Sequence, residues 1–398
     1  MTDPRKPRAI VFALDSMTGL QTARILARRG VPVIAIAKDP RHPCCRTRVC
    51  EQILTADTAS VGLIHVLESL GPLLGRKAVL YPCDDMSVLL VSRHRERLVD
   101  WFHVALPAPD VVETLMDKRR FYALAREMGL PVPGTFYLHG EPDVTQAAGE
   151  LHFPCIVKPS VRTEQWQRHT TAKAFRAADA GELIRIYRTC AGWAECLMAQ
   201  EWIEGPDESL YSCNCYFDGK GEPLVTFVAR KLRQWPPEIG TSCLGEECRN
   251  DVVLESCLRL FRNVNYRGLG YVEMKCDERS GKHYMIEPNV GRPTGRSAIA
   301  EAGGVELLYT MYCDLVGSPL PKNREQKYGN AKWIYFRRDV QSAFHYWRRG
   351  KLTVAEWWRS VRGCRRDAIF SWKDPAPFWY DLLRATRAHR RRVAGTLR

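Results

Sequence analysis

The sequence has no long hydrophobic run. None of its apolar stretches approaches the roughly 18 to 20 consecutive apolar residues that a transmembrane helix needs. The N-terminal apolar run at residues 9–14 is too short for the hydrophobic region of a signal peptide. We therefore expect a cytoplasmic protein. The loop at residues 14–19 also lacks the G-x-G-x-x-G spacing, so NAD binding is disfavoured.

Paired cysteine clusters at zinc-like spacing are missing as well. The chain has 15 cysteines, but in a chain of this size without an export signal they are expected to be reduced thiols. The densest group comprises His42, Cys44, Cys45 and Cys50, and it has no second cluster with which to complete a zinc site. A metal site is therefore disfavoured there.

The chain does have enough apolar sequence for a large core. With 398 residues and 45% apolar composition, it should form two or three units of domain size. Its net charge of +14 is unevenly distributed, because residues 321–398 hold 20 Lys and Arg against 6 Asp and Glu, whereas the other 320 residues hold 39 of each sign. The same stretch carries six of the eleven tryptophans. Such an asymmetry indicates a partner-facing appendage.

The most informative local pattern is a predicted antiparallel hairpin, with strands at residues 270–277 and 283–289. Strand residues two apart share a face, so Glu287 and Asn289 should point the same way. A turn centred near Ser280 puts Glu273 opposite Glu287, and like charges facing each other destabilise a ladder unless a cation lies between them. Two carboxylates and an amide oxygen suit Mg²⁺ beside a nucleotide triphosphate. The alternative is that both glutamates are ordinary solvated strand residues.

The opening of the chain predicts a βαβ unit, with a strand at residues 9–14, a helix at 19–29 and a strand at 31–37. A further strand at residues 78–81 is followed by Asp84 and Asp85. Acidic residues just beyond the carboxyl end of a parallel strand lie where open α/β sheets bind ligands, so both are candidates for substrate contact. The alternative is that they cap a helix.

Two lysines occupy positions that favour a nearby anion. Asp117 is a natural helix N-cap, so Lys118 falls in the first turn, where the helix dipole attracts anions. Lys158 ends an apolar strand at residues 154–159, which is costly unless its ammonium group reaches solvent or a fixed anion. Solvent exposure is the alternative for both residues.

A third basic group follows in the predicted strand that begins at residue 227 and runs into a proline stop. It contains Arg230, Lys231 and Arg233. Their charge would suit a transferring phosphoryl group and a carboxylate. The alternative is a basic strand edge that prevents aggregation.

Together these patterns resemble the ATP-grasp superfamily. The string EPNVGR at residues 287–292, followed by AGGVEL at 302–307, is similar to its stand-alone carboxylate-amine ligases. Two features depart from the usual pattern. Arg292 stands three places after Asn289 instead of two, and residues 160–173 contain no glycine where many members have a glycine-rich loop over the phosphates.

The resemblance implies an α/β fold in three parts. They are an N-terminal Rossmann-like parallel-sheet domain at residues 1–110, a two-lobed α+β ATP-grasp domain at 111–320 and a basic, aromatic-rich helical C-terminal extension at 321–398. The two lobes are expected at about residues 111–196 and 197–320.

The resemblance also implies cofactors and site residues. The cofactors are ATP and Mg²⁺, or Mn²⁺ in its place. The implied ATP contacts are Lys118 and Lys158 at the phosphates, Glu201, Trp202 and Ile203 at adenine, and Glu208 at ribose. The implied metal ligands are Glu273, Glu287 and Asn289, the implied catalytic residues are Arg292 and Lys231, and the candidates for substrate contact are Asp84, Asp85 and Arg230.

The implied reaction joins a small-molecule carboxylate to an amine through an acyl phosphate, which needs positioning and charge neutralisation more than a protein nucleophile. Two alternatives stay open. One is a carboxylase-like ATP-grasp enzyme that uses another acceptor. The other is a non-catalytic ATP-grasp relative that binds membrane or nucleic acid through its basic tail.

The C-terminal extension predicts helices at residues 339–350, 353–363 and 378–393, each with aromatic residues beside Arg and Lys. This composition is typical of segments that lie on anionic membranes with tryptophan at the headgroup level. We therefore expect peripheral attachment to the inner membrane face, with nucleic acid as a less favoured partner. The alternative is that the tryptophans pack against the core while the arginines are solvated.

Overall fold

The structure is a computed structural model that describes residues 6–160, 163–238, 240–295 and 297–396. Its first part is a five-stranded parallel sheet in the order β3-β2-β1-β4-β5 with flanking helices. The elements are β1 (Ala9–Val11), α1 (Met17–Arg28), β2 (Val33–Ala37), β3 (Gln52–Thr55), α2 (Gly62–Leu70), β4 (Ala78–Tyr81), α3 (Asp85–Arg93), β5 (Phe102–His103) and α4 (Pro109–Met116). Strands β1, β2 and β4 are buried throughout, as expected for a parallel sheet covered on both faces.

The predicted βαβ start is therefore confirmed, although four of its boundaries are shifted by one to three residues. The first strand ends at Val11, and α1 begins at Met17. The difference arises because Ser16 is the N-cap, and its hydroxyl accepts a hydrogen bond from the Gly19 N–H at 3.0 Å. The predicted strand at residues 78–81 coincides with β4.

A second group of elements forms a four-stranded sheet in the order β6-β9-β7-β8. The elements are α5 (Lys118–Glu127), β6 (Thr135–Leu138), α6 (Glu141–Glu150), β7 (Cys155–Pro159), α7 (Glu164–His169), β8 (Phe175–Ala177), α8 (Ala180–Cys190) and β9 (Leu197–Glu201). All the pairings between these strands are antiparallel. The predicted N-cap is confirmed, because the Asp117 carboxylate accepts from the backbone N–H groups of Arg119 and Arg120. The core of this sheet is built around the buried Trp166.

A larger sheet follows in the order β14-β13-β10-β11-β12-β15-β16. Its elements up to residue 315 are β10 (Leu210–Phe217), β11 (Pro223–Trp235), β12 (Thr241–Glu247), α9 (Asp251–Asn263), β13 (Gly268–Cys276), β14 (His283–Val290), α10 (Ser297–Ala302) and α11 (Leu307–Leu315). Strands β13 and β14 are the predicted hairpin. Its turn is closed by the Asp277 N–H, which donates to the Lys282 carbonyl at 2.9 Å.

The C-terminal extension completes this sheet and adds three helices. Its elements are β15 (Lys332–Ile334), α12 (Phe336–Arg348), α13 (Val354–Val361), β16 (Cys364–Asp367) and α14 (Ala376–Thr396). The three predicted helices correspond to α12, α13 and α14, but two strands were not predicted: β15 pairs with β12 and β16 pairs with β15. Trp333 of β15 is fully buried, and its indole N–H donates to the side chain of Gln21 at 3.1 Å. Part of the extension is thus core.

The chain divides into two compact units. The first contains residues up to 116, 211–272 and 288 onward, and the second contains residues 117–210 and 273–287. The predicted domain limits near residues 110 and 320 stay a prediction. All fifteen cysteines are free thiols. Over the described part of the chain, no helix combines the length and hydrophobicity needed to cross a bilayer.

Candidate active site

The second unit brings a lysine to the predicted metal-binding hairpin. Asp117 starts α5 and thereby fixes Lys118 in its first turn. The Lys118 Nζ atom lies 3.8 Å from Oε2 of Glu287, and their side chains are 38% and 44% exposed. Glu273, on β13, is half-buried. A carboxylate and a cation that remain accessible to solvent are available to a charged ligand, because neither is fully committed to the other.

Lys158 lies near the end of β7, as predicted, beside the same charged groups. Its ammonium group donates to Oε1 of Gln200 at 2.8 Å, and the Gln200 amide nitrogen donates to the Thr135 hydroxyl at 2.9 Å. Burial and the neighbouring Lys118 cation lower the pKa of Lys158 to about 7, against the opposing effect of Glu287. A phosphate anion bound beside Lys158 would supply the negative charge that stabilises the protonated form of this lysine.

The predicted adenine segment is partly used by the protein itself. The Glu201 carboxylate accepts from the Gly134 N–H at 2.9 Å and contacts Nδ1 of His152 at 2.7 Å. The backbone N–H groups of Glu201 and Trp202 donate to the carbonyls of Gly134 and Pro154. The Glu201 side chain therefore supports the segment, and the adenine contact through the backbone of residues 201–203 stays a prediction.

Two other predicted ATP contacts, Ile203 and Glu208, are available to a ligand. Ile203 is buried, and its N–H has no hydrogen-bond partner among the described residues. The ammonium group of Lys275 lies 4.9 Å from the centre of the Trp202 ring, in cation–π contact. Glu208 is exposed in the short 3₁₀ turn Asp207–Ser209.

The first unit holds Arg292, Asn289 and the two acidic residues that follow β4. The Arg292 guanidinium donates to Oδ1 of Asn289 and, at 2.5 Å, to Oδ1 of Asp85. Asp84 is the N-cap of α3 and accepts from the Ser87 N–H at 2.8 Å, which confirms the capping alternative for this residue. Its other oxygen is buried and has no hydrogen-bond partner within the described ranges. The ion pair between Asp85 and Arg292 could not be predicted from the sequence, because the two residues are 207 positions apart.

The basic residues of β11 differ in their availability. Arg230 pairs with Glu246 at 2.5 Å, and the buried Lys231 donates to Oε1 of Gln234 at 3.3 Å. Arg233 forms a buried ion pair with Asp339 at 2.8 Å. The expectation that Arg233 supplies charge to a ligand was therefore wrong, because its charge is neutralised inside the fold.

The predicted metal ligands have oxygen donors of the kind that a hard cation needs. Glu273, Glu287 and Asn289 offer carboxylate and amide oxygens, the donors that Mg²⁺ and Mn²⁺ prefer. The side chains of Glu287 and Asn289 are partly exposed, so their oxygens can be reached. In the described ranges, no group of three or more His, Cys, Asp or Glu side chains is arranged to hold a metal. Glu273 and Glu287 belong to the second unit and Asn289 to the first, and the chemistry of these donors is that of a site for a hard cation.

Two residues near these groups were missed by sequence reasoning. Gln200 holds Lys158, and nothing in the sequence marks a glutamine in a strand as a partner of a lysine. Lys275 is buried in β13. It could have been found, because a lone lysine in an apolar strand is the signal that identified Lys158.

The chain is similar to ligases of known activity. No protein-family model matches it. It is 25% identical over 234 residues to the D-aspartate ligase of Enterococcus faecium (strain Aus0004), covering 56% of this chain and 55% of that protein. It is 28% identical over 208 residues to the D-alanine--D-alanine ligase of Methylococcus capsulatus (strain ATCC 33009 / NCIMB 11132 / Bath), covering 48% and 62% respectively. The chain thus spans about half the length of the curated relatives it matches.

Solved structures share the fold at low sequence identity. The biotin carboxylase domain of 2-oxoglutarate carboxylase from Hydrogenobacter thermophilus, in complex with MgADP, ADP and bicarbonate, has a TM-score of 0.62 and 14% identity, covering 80% of this chain and 72% of that one. Biotin carboxylase from Campylobacter jejuni, in a complex with β,γ-ATP, has a TM-score of 0.63 and 14% identity, covering 81% and 73%. Identity at this level supports a common fold only.

Proposed function

We propose that this chain, which belongs to the ATP-grasp superfamily, is a carboxylate-amine ligase dependent on ATP and Mg²⁺. The observation that carries the proposal is the group formed by Lys118, Lys158 and Glu287 in the second unit. It joins two cations, one with a strongly lowered pKa, to an accessible carboxylate. The similarity to relatives named as D-aspartate and D-alanine--D-alanine ligases supports the reaction class.

The residues divide the work of holding ATP. Lys118 and Lys158 neutralise the phosphates, the Ile203 backbone contacts adenine, and Glu208 binds ribose. Glu273, Glu287 and Asn289 hold the metal. When bound, Mg²⁺ would neutralise negative charge on the transferring phosphoryl group. Mn²⁺ would serve through the same oxygen donors.

The reaction proceeds in two steps. An oxygen of the substrate carboxylate attacks the γ-phosphorus of ATP, and the bond between the γ-phosphorus and the bridging oxygen of the β-phosphate breaks. ADP departs, and an acyl phosphate remains. The amine then attacks the carbonyl carbon, phosphate leaves, and the nitrogen loses a proton to give the amide. Arg292 and Lys231 stabilise the negative oxygens of these intermediates, while Arg230 and Asp85 orient the substrates.

A second candidate function is carboxylase-like transfer to another acceptor. The observation that favours it is the shared fold with biotin carboxylases, one of which was solved with bicarbonate. ADP release that depends on bicarbonate and not on an amine would support it. A non-catalytic binding protein, the third reading, predicts no ATP turnover under any of these conditions.

The test of the ligase is ADP release by the full chain with ATP and Mg²⁺, using D-aspartate and D-alanine as first amines against a panel of carboxylates. Mass spectrometry of the products would identify an amide. The variant Glu287→Gln should abolish turnover while the far-ultraviolet circular dichroism is unchanged, because it removes a metal-binding charge from an accessible position. Glu278→Gln, in the exposed turn of the same hairpin, is the matched control. Near-normal ADP release by Glu287→Gln at saturating Mg²⁺ would contradict the metal assignment.

We also propose that the protein is cytoplasmic and attaches to the anionic inner membrane face through the C-terminal helices. The support is that α12 exposes Phe336, Val340, Phe344 and Trp347, which lie on one face of the helix because they are spaced by three or four residues. Helix α13 likewise exposes Trp358. Exposed aromatic residues on basic helices fit a membrane surface better than nucleic acid, because the helices present whole apolar faces.

A further inference from the structure

The first unit contains a cavity that none of the proposed ligase residues lines. Its volume is about 1150 Å³. One wall is the end of α1, a second is the chain at residues 48–51, and the third is the segment at residues 364–374, which comprises β16 and most of its connection to α14. The cavity therefore lies between the N-terminal parallel sheet and the C-terminal extension, within one compact unit.

The lining of this cavity is strongly basic. Its positively charged residues are Arg24, Arg28, Arg29, Arg48, Arg365, Arg366 and Lys373. Its acidic residues are Glu51, Asp367 and Asp374. Seven cations against three carboxylates leave an excess of positive charge in a confined volume, where charges are screened less than on an open surface.

The three carboxylates are already committed to other groups. Asp374 accepts from the Arg24 guanidinium at 2.8 Å and from the Thr47 hydroxyl at 2.5 Å. Asp367 accepts three backbone N–H groups, those of residues 336, 369 and 370. Glu51 pairs with Arg8 at 3.0 Å. Asp374 and Glu51 are thus paired with arginines, whereas the charge of Asp367, which is held by neutral N–H groups, still offsets one of the cavity's cations.

Four of those cations have no carboxylate within 4 Å among the residues that the structure describes: Arg28, Arg48, Arg366 and Lys373. Partial burial and the neighbouring Arg366 and Arg24 lower the pKa of Arg28 to about 10. Mutual repulsion between guanidinium groups that point into one cavity costs stability.

The walls that carry these cations are well supported. Arg24 and Asp374 are almost fully buried, and Arg24 also donates to the backbone carbonyls of Ile369 and Asp374. These contacts fix the segment at residues 364–374 against α1. At the rim, the Phe370 ring packs edge-to-face on Trp372, with the ring centres 4.8 Å apart, and Trp372 is 88% exposed.

We propose that this cavity is a binding site for a phosphate-bearing anion. Guanidinium groups bind phosphate through paired, charge-assisted hydrogen bonds, and several unpaired arginines around one volume match a ligand with more than one negative charge. The ligand is either a small phosphorylated metabolite or the headgroup of an anionic phospholipid, because both present the same chemistry. The proposal does not depend on the ligase function.

The test uses inorganic pyrophosphate as the probe in isothermal titration calorimetry with the full chain. Binding should be roughly tenfold or more weaker in Arg28→Ala/Arg366→Ala, because charge-assisted contacts are lost. Binding should persist in Lys158→Ala, which separates this cavity from the ATP site. The matched control is Arg41→Ala/Arg249→Ala, which removes two exposed arginines that pair with nearby aspartates. The cavity variant should also melt at the same temperature as the parent or higher, since like-charge repulsion is relieved.

Parallel co-sedimentation with phosphatidylglycerol vesicles distinguishes the two sources of phosphate. Pyrophosphate binding that is lost in the cavity variant identifies a soluble ligand. Vesicle binding that is lost in the same variant, without pyrophosphate binding, identifies a lipid headgroup. The proposal is overturned if neither probe binds, if binding is equal in parent and cavity variant, or if Lys158→Ala removes pyrophosphate binding. A lower melting temperature of the cavity variant without ligand would show that these arginines are structural.

Discussion

Lys158 combines three properties that a phosphate-binding lysine needs: it ends a strand, its position is fixed, and its charge is incompletely compensated. Gln200 fixes the ammonium group with a neutral oxygen, so its hydrogen-bond partner does not neutralise the charge. Lys118 contributes a second cation nearby, which makes the unliganded state electrostatically unfavourable. ATP would therefore bind with proton uptake, because its phosphates stabilise the charged form of Lys158.

This property predicts that ATP affinity falls as pH rises. The pKa of Lys158 is about 7 without ATP, so between about pH 7.5 and 9.5 most unliganded molecules have a neutral Lys158. The dissociation constant should increase by up to about tenfold per pH unit over that window. Lys158→Arg, whose charge does not titrate there, should show a flat profile, and Lys158→Gln should bind weakly at every pH. Titration calorimetry measures this, and a parent profile as flat as that of Lys158→Arg would contradict it.

The lowered pKa of Lys158 also determines how the free energy of unfolding changes with pH. Between about pH 7 and pH 10.5 the unfolded chain keeps a proton on Lys158 that the folded chain has released. The free energy of unfolding should therefore rise with pH across this window. The Lys158→Gln variant should lose this contribution, which urea denaturation at several pH values would show.

At the scale of secondary structure, elements with strong local signals were predictable. Strand β4 is bounded by polar and proline residues, α5 by an aspartate cap, and the β13–β14 hairpin by a turn rich in polar residues, and each lies where the pattern indicated. Strands β15 and β16 were missed because three or four residues carry too little periodicity to be recognised. Their extended form comes from pairing, because β15 adds to β12, which is far away in sequence, and β16 then adds to β15.

In the candidate site, too, residues with a local sequence signal were predictable, whereas contacts between distant residues were not. Lys118 at the start of α5 and Lys158 in β7 occupy positions where a positive charge is energetically unfavourable without an anion or solvent, so the sequence could identify them. The partners that determine availability, such as Glu246 for Arg230 and Asp339 for Arg233, come from distant parts of the chain. A sequence does not reveal such pairs without the fold.

The segment that connects β16 to α14 is held to the N-terminal sheet by one buried ion pair. The Arg24 and Asp374 side chains are 5% and 3% exposed. Removing one partner leaves the other charge buried and unpaired, so Asp374→Ala should lower the free energy of unfolding by about 3–5 kcal/mol. Urea denaturation of the full chain measures this change.

Two further variants separate an ion-pair effect from a general effect of truncation. Glu68→Ala, which breaks an exposed pair with Arg97, should change stability little. Arg24→Met/Asp374→Leu removes both charges and should recover most of the loss. A double variant as unstable as Asp374→Ala would show that the backbone contacts of Arg24, and not the pair, hold this segment.

For the whole molecule, the distribution of charge is the property that individual residues do not reveal. The first 320 residues are neutral by formal count, and the full excess of +14 lies in the last 78. The structure divides that extension into two parts with different roles. Trp333 and Ile369 belong to the core, while Trp347, Trp358, Trp372 and Trp379 remain more than half exposed. The alternative that the tryptophans pack against the core is therefore correct for Trp333 alone among these five.

The exposed part predicts binding to anionic membranes. Each basic residue near such a surface contributes about 1 kcal/mol, and tryptophan favours the headgroup region. Co-sedimentation with vesicles should increase with the fraction of phosphatidylglycerol and decrease with salt. Phe344→Ser/Trp358→Ser should reduce binding, whereas Leu73→Ser, which removes an exposed leucine from the N-terminal part, should not. Equal binding to neutral vesicles would rule out the membrane proposal, as would tight binding to DNA without binding to vesicles. Either result would leave the ligase proposal intact, because the helices that carry these aromatic residues contain none of the proposed ATP contacts.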